Sequence, residues 1–460
     1  MSFFDSHYPP ARRAAAAALW LARAQNMWHR GAAWILGPLL VGAMAVGLAL
    51  GSERAGRFNV WLFKTVPLAP LLVLPAGMAL LVFLGQRYAP GSQGSGIPQT
   101  IAAIDTMDGD KKGHFLSPRI ALGKIFLTLG GLAIGASIGR EGPTVQIGAS
   151  IMHAFYGRGP FRGAAMRRIL ILAGGAAGIA AAFNTPLAGI MFAIEELSKK
   201  HAFKANSSTL VTVIVSGLIS LAVLGNYTYF GSSGASLAWP LGVGAVLLCG
   251  VVGGAAGGAF SRMLIGVSFH LPPRLAGLLA RRRLVFAALC GLLIAIIGMQ
   301  TGGLVFGTGY EATRLTLEGS GALPWYFGPA KLAATLLSSA SGIAGGIFAP
   351  SLAVGAGLGD NIATLWPGLA NHGAIMLLVM AAYLSGVTRA PATSFIIMLE
   401  MTNDHQMLLP LMSASVIASA VSKLICPTAL YQKLAENMAP PPPPTVAKPS
   451  GASGPDTPIL

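Results

Sequence analysis

Apolar segments of about twenty residues recur along most of this chain, and they fix its solvent before anything else about it. Gly31 to Leu50, Pro67 to Leu84, Ile120 to Ile138 and Ile169 to Ile194 are early examples. About 20 consecutive apolar residues cross a bilayer core as a helix, and these runs are too many and too long for one soluble core. Charged residues are only 10% of the chain, against about 25% in an average soluble domain. A polytopic membrane protein follows. Glycine, at 60 of 460 residues, is about twice its usual roughly 7% share, which suits tightly packed helices and broken helices that line a cavity.

The net charge of +16 sits mainly between the apolar segments, as in Arg158 to Arg168 and Arg274 to Arg283. That is the distribution expected of cytoplasmic loops beside anionic lipid, and no nucleic-acid partner is implied. Arg12, Arg13, Arg23 and Arg30 precede the first apolar segment, which predicts a cytoplasmic N-terminus. No small-residue cleavage pattern makes that segment a signal peptide. Cys249, Cys290 and Cys426 stand isolated among apolar neighbours, so no disulfide, metal or other cofactor is expected. Residues 1–30 read as a cytoplasmic lead, helical in part from Ala11 to Ala24. Residues 436–460, proline-rich from Ala439, read as a disordered tail too short for a further domain.

The membrane region, 31–435, carries an internal repeat. Gly139-x-x-x-Pro143-x-x-x-x-Gly148 returns as Gly346-x-x-x-Pro350-x-x-x-x-Gly355, an offset of 207. Pro186 to Glu195 returns as Pro391 to Glu400, an offset of 205. Two matches at nearly one offset indicate duplicated halves, about 31–225 and 240–435. These motifs alone leave the relative orientation of the halves open. Duplicated halves meeting at a midplane site, with interrupted helices aimed at the ion, are a common plan of secondary transporters.

Within the first copy, Gly139-Arg140-Glu141-Gly142-Pro143 places a carboxylate in an apolar stretch. An ionised group near the bilayer centre costs roughly 2.5–3.5 kcal/mol, so intramembrane acids are candidates for ion or proton pathways. Gly94-Ser95-Gly96-Ile97-Pro98 and Gly346-Ile347-Phe348-Ala349-Pro350 share its glycine-then-proline logic. Each predicts a helix start, and helix starts attract anions through unpaired N–H groups carrying about half a positive charge.

In their order and spacing these three motifs closely resemble the signatures of the CLC family of chloride channels and proton-coupled chloride transporters, over about residues 30–435. The resemblance implies an all-α, inverted-repeat fold whose broken helices meet at a midplane anion site, and a homodimer with one pathway per subunit. Ser95 then corresponds to the hydroxyl donor to chloride, with the N–H groups of Ile347 and Phe348 beside it and Tyr431 as the fourth donor. The backbone of Arg140, Glu141 and Gly142 would frame the outer anion site. Glu141 corresponds to the external gating and proton glutamate, and Glu196 to the internal proton glutamate that distinguishes transporters from channels. Lys124 aligns with a buried lysine expected to tune the potential near the inner anion entrance. Glu195, recurring as Glu400, is assigned to structure.

The resemblance implies chloride and protons as the transported species, with bromide or nitrate as further candidates, in a bacterial inner membrane with both termini cytoplasmic. A passive chloride channel is the nearest alternative. A fluoride-selective relative fits less well, because the Ser95 and Tyr431 positions keep the chloride pattern. Gln99 and Ile101 stand where one bacterial pattern has acids, and Ser341-Gly-Ile-Ala lacks a frequent proline. Gly357-Leu-Gly-Asp360 has the form of an intramembrane aspartyl protease motif, but such chemistry needs two aspartates at one site. A serine protease reading of Ser95 lacks an intramembrane histidine base, so no enzyme is expected.

Overall fold

The computed structural model describes residues 10–105, 115–199, 207–225, 229–231, 234–238, 240, 242–436 and 438, with side chains at 31 and from 33 onward. The expected tail lies outside the described residues, apart from Glu436 and Met438.

The chain folds into helices. The first set is α1 (Pro10–Thr65), α2 (Pro70–Tyr88), α3 (Ile97–Asp105), α4 (Pro118–Ile134), α5 (Glu141–His153), α6 (Ala164–Phe183), α7 (Pro186–Phe192) and α8 (Ser207–Leu224), with a π-helical turn, Ala193–Leu197, following α7. The second is α9 (Gly242–Phe269), α10 (Pro273–Arg281), α11 (Arg283–Gln300), α12 (Tyr310–Leu317), α13 (Phe327–Ser341), α14 (Phe348–Leu365), α15 (His372–Thr388), α16 (Pro391–Thr402) and α17 (Leu408–Ile425), with α18 (Leu430–Glu436) last. Taken in order, α1–α8 correspond to α9 and α11–α17, leaving α10 and α18 outside the pairing. Among the described residues, seven helices are long and apolar enough to cross a membrane.

Two apolar segments differ from their sequence reading. The first is part of one helix that begins at Pro10 and continues past Leu50 to Thr65. The Ile169–Ile194 segment is two helices: Asn184 takes a left-handed conformation (φ 58°) that ends α6, and Pro186 opens α7. Hydropathy continues smoothly across the break because a left-handed residue followed by proline redirects the chain without interrupting its apolar character.

The orientation of the halves is set by contacts between equivalent residues. The Gly139 N–H donates to Gly346 O at 2.7 Å and the Gly346 N–H donates to Gly139 O at 2.7 Å, an antiparallel pair. Repeat mates that bond reciprocally lie across a local twofold axis, so the N-termini of α5 and α14 meet head to head. A second reciprocal exchange occurs at α7 and α16. The Glu400 carboxylate accepts from the N–H groups of Leu187 (3.1 Å) and Ala188 (2.7 Å). Glu195 accepts from those of Ala392 (3.1 Å) and Thr393 (2.7 Å). Each copy thus caps the other's helix start, where N–H groups have no intrahelical acceptor. Removing either carboxylate strands two donors, so Glu195→Ala and Glu400→Ala should each cost roughly 2 kcal/mol. Thermal unfolding of the detergent-solubilised protein checks this; a wild-type midpoint for both variants would show that the exchange carries no stability.

The same twofold relation appears in the packing. A Cβ on Gly148 of α5 or Gly174 of α6 would collide with the other residue's carbonyl oxygen. One on Gly355 of α14 would meet the Met380 Cα at 2.6 Å. Both crossings bring backbones into contact, as small residues allow in membranes. α15 is buried on every side from Ala374 to Thr388, and α6 nearly so from Leu170 to Phe183, so these helices form the core behind α5 and α14.

Candidate functional site

Three glycine-rich turns converge where α3, α5 and α14 begin. The Gly94 N–H donates to Ile343 O at 2.9 Å and the Gly345 N–H donates to Gly94 O at 3.0 Å, tying the Ser95 turn to the turn before α14. The Gly139–Gly346 pair joins that turn to the start of α5. Gln99, at a position where an acid was the reference pattern, braces the Ser95 turn: its Oε1 accepts from the Gly96 N–H at 3.1 Å and its Nε2 donates to Gln93 O.

Lys124 is fully buried and donates to the carbonyls of Ser92 (2.8 Å) and Gly94 (2.6 Å). It therefore holds the turn that presents Ser95. Its repeat mate Lys331 was not singled out by the sequence reading, although it lies 207 residues later, the offset of the glycine motifs. Lys331 is equally buried and latches the carbonyls of Val305 (2.8 Å) and Gly307 (2.7 Å). Those carbonyls lead into Gly307-Thr308-Gly309, the second copy of the Ser95 turn, the latter belonging to its first residue.

Ser95, Glu141, Gly142, Ile347, Phe348 and Tyr431 are brought together. A Cβ on Gly142 would touch Ser95 Oγ, lie 2.8 Å from Ser95 O and lie 3.3 Å from Gly346 Cα. Ile347 precedes α14 and Phe348 opens it, where first-turn N–H groups have no intrahelical acceptor. The Phe348 ring stacks on Tyr431 (centroids 6.2 Å apart, 15° between planes) and meets Phe192 edge-on at 5.9 Å. Tyr431 is fully buried, with its hydroxyl beside that of Ser95 and within electrostatic reach of Glu196 and Glu141.

Glu141 is also fully buried. Its carboxylate lies beside the N–H groups of Arg140, Glu141 and, across the repeat, Ala349, without closing a well-formed hydrogen bond. Arg140 contributes its backbone at the start of α5, whereas its guanidinium Nη1 turns away to donate to Ser52 Oγ at 2.9 Å. Ser95 Oγ, Tyr431 Oη and both Glu141 oxygens are buried without a protein hydrogen-bond partner. Each such group costs about 1–3 kcal/mol, and several in one place mark a site built for something other than stability.

Glu196 stands apart, in the π-helical turn after α7. It is fully buried, with Oε2 bound to Lys199 Nζ at 2.5 Å and Oε1 without a protein partner. The side-chain amide of Gln432, next to Tyr431, donates to the Glu196 backbone carbonyl at 3.3 Å, connecting this turn to α18. Asp360 of the protease-like motif pairs with His372 at 2.8 Å.

A sequence model of the voltage-gated chloride channel family matches residues 77–423. Among solved structures, a slow cyanobacterial Cl−/H+ antiporter is similar at 25% identity with a TM-score of 0.74, over 88% of this chain and 97% of that one. A CLC-type fluoride/proton antiporter is similar at 23% identity and TM-score 0.73, over 87% and 97% of the two chains. A eukaryotic CLC transporter is similar at 19% identity and TM-score 0.68, over 89% and 74%. The chain therefore belongs to the CLC family, the voltage-gated chloride channel family of multi-pass membrane transport proteins.

Proposed function

We propose that this protein exchanges chloride for protons, with one pathway in each subunit of a homodimer. The observation that carries the reading is the set of orphaned buried groups where three helix starts converge: the hydroxyls of Ser95 and Tyr431 and the carboxylate of Glu141. Hydroxyl donors and the N–H groups of Ile347 and Phe348 hold an anion by partial charges, so they bind it without trapping it. Bromide and nitrate fit the same donors. An ionised Glu141 competes with chloride for the N–H groups at the starts of α5 and α14; a protonated one releases them. A single side chain thereby links the two ions. Glu196, buried and coupled to Tyr431, supplies the proton from the inner side. The cyanobacterial antiporter of similar fold supports the exchanger reading. We place it in a bacterial inner membrane with both termini cytoplasmic; the basic residues before the first span support that side for the N-terminus.

The test is purified protein in liposomes under a chloride gradient, with external pH recorded. Chloride flux should drive protons uphill; flux without proton movement would leave a passive channel. Glu196→Gln, which cannot pass on a proton, should lower proton flux by about 100-fold or more, the low end for losing an acid–base group. Chloride binding measured by calorimetry should be unchanged. Full proton flux in that variant would remove Glu196 from the pathway.

A further inference from the structure

The carboxylate of Glu196 has no exposed surface, yet its ion-pair partner Lys199 keeps 24% of its side chain exposed. The pair therefore spans the boundary between the buried site and the inner solution. Lys199 Nζ also reaches the Thr388 carbonyl at the end of α15, at 3.5 Å. Among the described residues, the charges that reach Glu196 are Lys199 and Glu195, and Tyr431 is the titratable group facing it from α18. Glu195 is committed elsewhere, since both of its oxygens accept from the start of α16. Lys199 is thus the cation that sets the charge balance of Glu196. Glu196 stands on a π-helical turn, Ala193–Leu197, and Lys199 just beyond its end; such departures from regular helix are frequent at functional sites.

We infer that Lys199 is a positioning residue for proton entry, a swinging cation that holds Glu196 ionised and aimed at the inner solution until a proton arrives. This rests on the antiport reading and adds the device that admits the proton. Glu196 Oε2 accepts a proton from inner water, and its attraction to the ammonium is lost. Lys199 then moves outward on its flexible stem, and the neutral acid is free to pass the proton inward. When the proton leaves, the carboxylate regains its charge and the pair re-forms. No bond other than O–H is made or broken, and the cation never transfers a proton itself.

The prediction concerns Lys199→Met and Lys199→Gln, with Lys199→Arg as the conservative control. In liposomes, chloride and proton fluxes are recorded together while internal pH is varied. Without the cation an ionised Glu196 loses its counter-charge and holds its proton more tightly. Both neutral variants should therefore reach half-maximal proton flux at an internal pH higher by roughly one unit, the low end for an opposite charge at this range because Lys199 is partly solvated. They should also move more chloride per proton, while Lys199→Arg keeps the wild-type profile. Arginine giving the same shift as methionine, or neutral variants matching wild type in profile and ratio, would overturn the assignment. If the wild-type protein moved no protons, the antiport reading would fall first, and this inference with it.

Discussion

Glu141→Ala is expected to leave chloride crossing the bilayer while proton movement falls to the level of leak. The carboxylate is buried beside N–H groups from α5 and from α14, the donors an anion needs there. Two helix starts, each worth about half a positive charge, suit one monovalent anion at a time, whether chloride or the side chain. Alanine removes the competitor and the proton carrier together. Proton flux should drop by about 100-fold or more, as for loss of a required acid–base group. Chloride flux should persist because Ser95, Ile347, Phe348 and Tyr431 are untouched. Simultaneous chloride-electrode and pH recordings on liposomes decide the matter. Uphill proton movement surviving in Glu141→Ala would end the role of this residue as the coupling gate. Glu141→Gln separates the two functions: glutamine fills the same space without the charge, so it too should lose protons while its chloride flux reports on steric access alone.

Much of this arrangement was legible because the fold rests on motifs that need particular residue types. Glycine followed by proline marks where a helix can begin with its N–H groups free, and all three such places, at Ser95, Glu141 and Phe348, meet in the structure. The nearly equal offsets of the glycine motifs and of Glu195 with Glu400 exposed the duplication, and the reciprocal Gly139–Gly346 bonds then fixed its hand. What stayed hidden depends on groups far apart in sequence. That Glu195 and Glu400 cap each other's helices involves partners about 200 residues away. Lys331 was overlooked because a lone lysine in an apolar helix carries no motif; only its spacing from Lys124 and its two carbonyl partners reveal it. The break at Asn184 was invisible to hydropathy, since helix direction can change without any change in apolar character. Lys199 stands only three residues after Glu196; what the sequence does not show is that the acid is buried while its cation keeps contact with solvent.

Gly142→Ala is expected to cost the protein its chloride site although no ligand is altered. The added methyl has nowhere to go: it would meet Ser95 Oγ, Ser95 O at 2.8 Å and Gly346 Cα at 3.3 Å. Gly346 cannot yield, because both of its backbone polar groups are locked to Gly139. The turn carrying Ser95 is held at Gly94 by Ile343 and Gly345 and from behind by Lys124. The Ser95 hydroxyl, with no protein partner of its own, is the part least restrained, so the strain falls on it. Overpacking of this kind costs about 1–3 kcal/mol; spent on the geometry of one ligand, that weakens chloride binding by about 5- to 150-fold. Gly266→Ala is the control, a helical glycine whose added Cβ would have nothing within 4 Å and which should bind chloride as wild type does. Calorimetric titration of chloride into the three purified proteins makes the comparison. Wild-type affinity in Gly142→Ala would mean that Ser95 can move aside without loss, and so that its hydroxyl does not hold the anion.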